Sequence, residues 1–350
     1  MRSKVRGQKT GTQLTWAALV SVVAMLAFMP AASAATAPAS EEPVPAWLQA
    51  PVVPDLKGNV ERRLIHDLGV GRERGMRAGV FAKVGDSNTR ITGVLHGFGC
   101  RRAQLGENTG LARVIRRYRQ VTLPNEHAVE DCEPGNSFSR RSAAVASGST
   151  SNWPLIPISV SYPGGNPRFS ECGKEESPLS CELRVTRPRY TMVMTGSNDI
   201  SYDFLVAGIT PATMLQARLS PVIRAIRRFG SVPVLSTVAP VTLGPLGWKY
   251  IGDTNREIWK LARRLNVPMI NLYGALDSPA MINYGIAEDN AHLSIYGNDG
   301  PSRLEVPGPT TLQDSVNLTR PALRYGANRR NLIVLKTLAR LDRVASRATR

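Results

Sequence analysis

Serine, histidine and carboxylate side chains stand at three places where they could combine for nucleophilic catalysis. The first is Gly85-Asp86-Ser87, where the apolar run of "VFAKVGDSNTR" stops. The second is Gly196-Ser197-Asn198-Asp199 in "MVMTGSNDIS", and the third is "AEDNAHLS", where Asp289 precedes His292 by three residues. A serine hydroxyl is a weak nucleophile until a base takes its proton, and imidazole is the side chain whose ordinary pKa suits that task near neutrality. In a tight loop, Asp289 has the spacing to fold back and orient His292. A tetrahedral intermediate would then need donors for its oxyanion, and the backbone N–H of Ser87 and the amide of Asn198 are candidates. With Asp289 in the orienting role, Asp199 reads as a structural hydrogen-bonding residue.

These residues need elements to hold them at one place. The chain alternates short apolar runs with amphipathic ones, the pattern of an α/β sheet covered by helices. Strands are expected at residues 80–84, 190–195, 232–237 and 268–272, each apolar enough to be buried on both faces as parallel strands are. Helices are expected at 214–229, where Leu215, Leu219, Ile223 and Ile226 share a face, at 255–266, and in a terminal stretch over 321–345. Ligands of open α/β sheets sit beyond the carboxyl ends of the strands, where all three chemical stretches fall.

Together the three blocks resemble the SGNH, or GDSL-type, serine hydrolase superfamily. Gly85, Asp86 and Ser87 match its first block, Gly196, Asn198 and Asp199 its Gly-x-Asn-Asp block, and Asp289 with His292 its Asp-x-x-His block; the resemblance covers residues 76–345. It implies a three-layer α/β/α flavodoxin-like sandwich with a central parallel sheet, a triad of Ser87, His292 and Asp289, and no metal or organic cofactor. The family's second block supplies a glycine N–H to the oxyanion hole. No clean match exists here; Gly148 in "VASGSTSNW" is chosen over Gly135. Asn88 replaces the commoner aliphatic residue after the serine, which should alter the local turn while keeping the chemistry. The long interval from Ser87 to Gly196 suggests an elaborated substrate-facing region.

The first 34 residues read as a signal peptide: a basic start, an apolar stretch over 14–29, and a small-residue cleavage site at "AASA". An uncleaved anchor is the alternative. Residues 35–55 are Ala/Pro-rich and read as an extended tether, leaving 56–350 as the hydrolase domain with an irregular insertion at about 93–185. Export makes disulfides tenable, and among the three possible pairings of four cysteines the sequential one is favoured, Cys100 with Cys132 and Cys172 with Cys181. No Cys-x-x-Cys or His-Glu-x-x-His spacing suggests a metal, and the glycines of "LGVGRERG" precede a strand instead of following one, which excludes a dinucleotide fingerprint. His66, His96 and His127 have no such partners and read as packing or loop residues.

Without the leader's Arg2, Lys4, Arg6 and Lys9 the chain's charge of +17 falls to +13, still strongly basic. Such a field favours anionic partners, an envelope polymer among them. The arginines are scattered, however, and aromatics make up only 6% of the chain, so no specific nucleic-acid function is expected. The expected activity is that of a secreted or periplasmic carboxylic ester hydrolase acting on acylated glycans, lipids or small esters. Two alternatives use the same fold: a catalytically silent binder of glycans or anionic polymers, and an O-acyltransferase using the same triad. Oligomeric state is not legible.

Overall fold

The four apolar runs form four parallel strands, β1 (Arg77–Gly85), β2 (Pro188–Met194), β3 (Val232–Ser236) and β4 (Met269–Ile270), lying in that order across one sheet. The structure is a computed structural model. It describes residues 44–349 apart from 125–131, 133, 162–169, 204–208, 210–211, 242–244, 279–280, 282–283 and 298–308, and only the backbone of 245–249 and 309–311. The expected leader over 1–34 and His127 lie outside the described residues. Register is continuous through the site end of the sheet, with Val84 opposite Val193 and Gly85 opposite Met194. Val80, Val84, Val193, Val232 and Val234 are all buried, as a sheet covered on both faces requires.

A single parallel bridge from Gly85 to Val145 extends the sheet beyond β1. Gly85 N–H donates to Ala144 O and its carbonyl accepts from Ala146 N–H, both at 3.1 Å. Numbered by sequence, the edge at Val145 comes second and lies outside the first strand, so the order across the sheet is 2-1-3-4-5. This is the flavodoxin-like order, and it puts a topological switch point at the carboxyl end of β1, where successive connections leave in opposite directions. Ser87, the first residue after β1 and Asp86, stands at that switch point.

The helices are α1 (Gly58–Glu73), α2 (Ser87–Arg90), α3 (Ala112–Arg119), α4 (Ile158–Ser161), α5 (Pro178–Thr186), α6 (Ser197–Ser201), α7 (Leu215–Phe229), α8 (Pro245–Leu265), α9 (Leu272–Leu276), α10 (Pro309–Ser315) and α11 (Gly326–Arg347). One layer is built on α11, which packs against α1, α3 and β4; the other is built on α5, α7 and α8, which pack on one another and on β1 or β3. The fold is therefore a three-layer α/β/α sandwich. In α7 the expected face is buried, and Gly230 ends the helix at a φ of +102°.

The described residues of the stretch read as an insertion carry more defined structure than its composition suggests. Ser177 opens α5 with a reciprocal cap to Ser180, and Pro178 occupies the first turn, where its missing N–H costs nothing. Both expected disulfides are present, Cys100–Cys132 and Cys172–Cys181. Between them the guanidinium of Arg140, almost fully buried, pairs with Glu182 at 3.1 Å and Glu171 at 2.9 Å. Glu182 also accepts from Ala143 N–H at 3.0 Å, which fastens the segment leading to Val145.

The tether read over 35–55 is docked from Val44 onward. Trp47 is buried edge-on to Tyr273, and the Asn271 amide donates to Trp47 O, Leu48 O and Ala50 O at 3.3, 3.1 and 2.8 Å. Proline-rich backbone has carbonyls to offer but few N–H groups, and one buried Asn side chain satisfies three of them. Among the described residues no helix is long and apolar enough to cross a membrane.

Candidate active site

Ser87 is the first residue of α2, immediately after β1, and is half-buried. Gly85, held between two strands, makes the turn possible: a Cβ there would lie 2.4 Å from both Met194 O and Thr89 Oγ1. Asp86 caps α2, its Oδ1 accepting from Asn88 N–H at 3.0 Å. Burial raises the Asp86 carboxyl to about 6, against the opposing pull of the Asn88 N–H and of Arg330. Arg330, on α11, is itself buried and lowered to about 10 by desolvation, with Asp86 opposing. Its guanidinium donates to Asn88 O at 2.5 Å and Thr89 Oγ1 at 3.1 Å. A buried cation thus grips the backbone of the serine turn from beneath.

Asp289 and His292 lie in a surface loop between Ile286 and Leu293, which pair across it. Asp289 Oδ1 accepts from Ala291 N–H and His292 N–H, each at 3.0 Å, while Oδ2 lies 2.5 Å from His292 Nδ1. Partial burial works against the Asp289 carboxylate, but these donors and the imidazole hold its pKa below the usual range. The carboxylate therefore fixes Nδ1 as the protonated nitrogen and leaves Nε2 as the basic one.

Asn88 joins the two halves. Its Nδ2 donates to Ala291 O at 2.9 Å and its Oδ1 accepts from Leu293 N–H at 3.1 Å, so the residue after Ser87 is bonded to both neighbours of His292. Among the described residues no hydrogen bond joins the Ser87 hydroxyl to the imidazole directly; the turn and the loop are tied through Asn88. Polar residues early in α11 brace the same region. Asn331 holds Leu95 N–H and Gly93 O, and Asn328 accepts from Tyr296 N–H.

The oxyanion candidates occupy the exits of three adjacent strands. Ser87 N–H follows β1, Asn198 follows β2 in α6, and Gly148 follows the bridge at Val145. Gly148 is exposed with a φ of +74°, a conformation a side chain would strain. The adjoining Ser149 accepts from Asn198 Nδ2 at 3.1 Å through its carbonyl and donates to Gly85 O at 3.3 Å through its hydroxyl. Gly135 lies elsewhere, accepting from Leu123 N–H. Gly196 opens α6 at a φ of +130°, and Asp199 ties that helix down by accepting from Ser151 N–H and Oγ at 2.9 and 2.6 Å and from Arg218 at 3.0 Å. Burial raises Asp199 in spite of those donors, in a bracing position between two loops.

Of the other histidines, His96 is buried with Nδ1 against Val94 O at 2.9 Å, and His66 is exposed beside Asp67. Asn88, Arg330 and Ser149 are the residues here that sequence reasoning gave no functional weight. Asn88 and Arg330 act across more than 200 residues and Ser149 across 49 to 64, and neither spacing nor periodicity marks such pairs.

No known family profile matches the chain, and no curated protein does. Among solved structures, it is similar to an alpha/beta hydrolase from the metagenome of Lake Arreo, Spain, at 14% identity over 77% of this chain and 98% of that one, with a TM-score of 0.41. It is also similar to a GDSL-like lipase from Bacteroides thetaiotaomicron, at 11% identity over 79% and 98% of the two chains with a TM-score of 0.36. An acetylxylan esterase from Geobacillus stearothermophilus shares 13% identity over 75% and 92%, with a TM-score of 0.37. At this identity the assignment of each residue rests on the geometry above.

Proposed function

We propose that the chain is an SGNH-type serine hydrolase of carboxylic esters. One observation carries the reading: an Asp289–His292 pair, in orienting geometry, is fastened by Asn88 to the turn that presents Ser87. Ser87 Oγ attacks the acyl carbonyl while His292 Nε2 takes its proton. The N–H groups of Ser87 and Gly148 and the Asn198 amide receive the developing oxyanion. His292 then protonates the departing alkoxide, leaving an acyl group on Ser87, and water activated by the same imidazole releases the acid. The substrates are acylated glycans or lipids, and the leader places the reaction outside the cytoplasm.

The test is hydrolysis of short, medium and long p-nitrophenyl esters, with acetate release from acetylated xylan, by the protein and by Ser87→Ala. The expected result is turnover by the parent and its loss in the variant, with chain-length preference separating deacetylase from lipase. Turnover by neither folded protein would overturn the reading in favour of a silent binder or a narrowly selective acyltransferase.

A further inference from the structure

A groove of about 850 Å³ runs between α1, α3 and the C-terminal half of α11. Arg343 on its wall lies thirteen residues beyond Arg330 on α11, which is about 20 Å along the helix from the candidate active site. Its floor is apolar, with Leu56, Val114 and Val344 buried. Its rim is cationic. Lys336, Arg340, Arg343 and Arg347 recur on α11 at intervals of four, three and four, so they form one stripe about 16 Å long. Arg113 and Arg117 face them from α3, and the groove continues past Lys336 into an adjoining depression of about 360 Å³.

The acids in the groove are already engaged. Asp55 lies 3.5 Å from Lys57, Glu61 3.1 Å from Arg347, and Asp342 3.4 Å from Arg117. Among the described residues Arg113, Lys336 and Arg343 have no carboxylate partner. Arg340 bonds the carbonyls of Val53 and Pro54, which position its guanidinium without neutralising it. Among the described residues, four positive charges therefore line this cleft and its adjoining depression with no carboxylate to balance them. Like charges held this close are destabilising, a cost that an anionic occupant would offset.

We infer that this groove binds a linear polyanion, a polymer carrying phosphate or carboxylate groups along its length. A single small anion could engage two of the cations, whereas a stripe of about 16 Å with a second wall opposite matches several charges in series. A membrane surface would call for a flat or convex face with projecting apolar side chains. Here the cations line a concavity, and none of the exposed large apolar side chains among the described residues lies on its rim. The inference is independent of the ester hydrolase reading, since the groove shares no residue with the candidate active site. If both hold, the groove keeps the enzyme on a charged polymer while the crevice works on esters carried by that polymer or by its neighbours.

The test measures binding of polyphosphate, of polygalacturonate and of vesicles of phosphatidylglycerol with phosphatidylcholine at about 0.15 M salt. It compares the parent with Arg113→Glu/Arg343→Glu and with Arg224→Glu/Arg228→Glu, the latter making the same charge change on exposed positions of α7. The expected result is polymer binding that weakens roughly tenfold or more in the groove variant and within about twofold in the control. Hydrolysis of p-nitrophenyl acetate should be the same in all three. Binding of one polymer alone would support the proposal and identify the recognised group. Equal weakening in both variants, binding to vesicles without polymer, or no binding at all would overturn it.

Discussion

The turn that carries Ser87 and the loop that carries Asp289 and His292 must meet within hydrogen-bonding range, yet they are built from opposite materials. The turn is interior. Gly85 is clamped between two strands, Asp86 is fully buried, and Arg330 holds the backbone from below. The loop is superficial, with Asp289 37% exposed and held by donors from Ala291 and His292. Each half contains an aspartate, and their protonation follows from these settings. Desolvation lifts Asp86 to about 6, while donors outweigh desolvation at Asp289 and lower it. Burial without enough donors raises a carboxyl, and donors at the surface lower one. This division suits the proposed roles: a rigid seat for Ser87 as nucleophile and an ionised partner for His292 as base.

The largest expected effect isolates the seat. Ser87→Ala should lower kcat/KM by about 10⁴-fold or more with no change in melting temperature, measured on the best ester. Asp289→Asn probes the loop and should cost about 10³-fold in kcat, because the imidazole loses the acceptor that fixes its tautomer. Asn88→Ala breaks the tie between the halves while leaving both intact. It should reduce kcat by about 10²-fold through misplacement of His292, and amide exchange at Ala291 and Leu293 should quicken. A smaller loss in Asn88→Ala than in either other variant separates positioning from chemistry; no loss would mean that the loop finds its place unaided.

The finest distinction is one of pH. A carboxyl whose folded pKa is raised favours folding in its protonated form, so its contribution falls as pH climbs from the unfolded value near 4 to about 6. Between pH 4 and pH 6 the parent should lose about 2 to 3 kcal/mol relative to Asp86→Asn in urea unfolding. Asp289→Asn should behave in the reverse sense. The stabilisation from its depressed carboxyl is present above the unfolded pKa and disappears as pH falls below it, so the parent's advantage should shrink only in strong acid.

Much of this arrangement was legible in the chain. The four strands, the face of α7 and the placing of Ser87 and Asn198 just beyond strand ends follow from periodicity and residue type, whereas His292 lies in a loop well past β4. The edge at Val145 did not, because one bridge in a Gly/Ser-rich stretch has no alternation to read. Arg330 sits in "GANRRN", which resembles any solvated basic run, and only its burial against Asp86 distinguishes it from Arg329. Lys83 was hidden in an apolar run. Desolvation takes it down to about 7, Glu182 opposing, and it donates to Phe138 O at 2.7 Å. Its amine reports tertiary surroundings that no local pattern encodes. The docking of residues 44–55 was missed for the same reason, since Ala/Pro composition favours an extended chain and says nothing of where its carbonyls find donors.

That docking bears on the order in which the molecule can be completed. Asn271 reaches back across 221 to 224 residues to gather the carbonyls of Trp47, Leu48 and Ala50. A chain made or threaded from its amino end delivers those carbonyls early and their donor only once the last strand, β4, has been supplied. Closing so long a loop costs little more than closing one half its length, because the entropy grows only logarithmically. The clasp therefore cannot close before Asn271, at the end of β4, is in place, and it acts less as a foundation than as a latch.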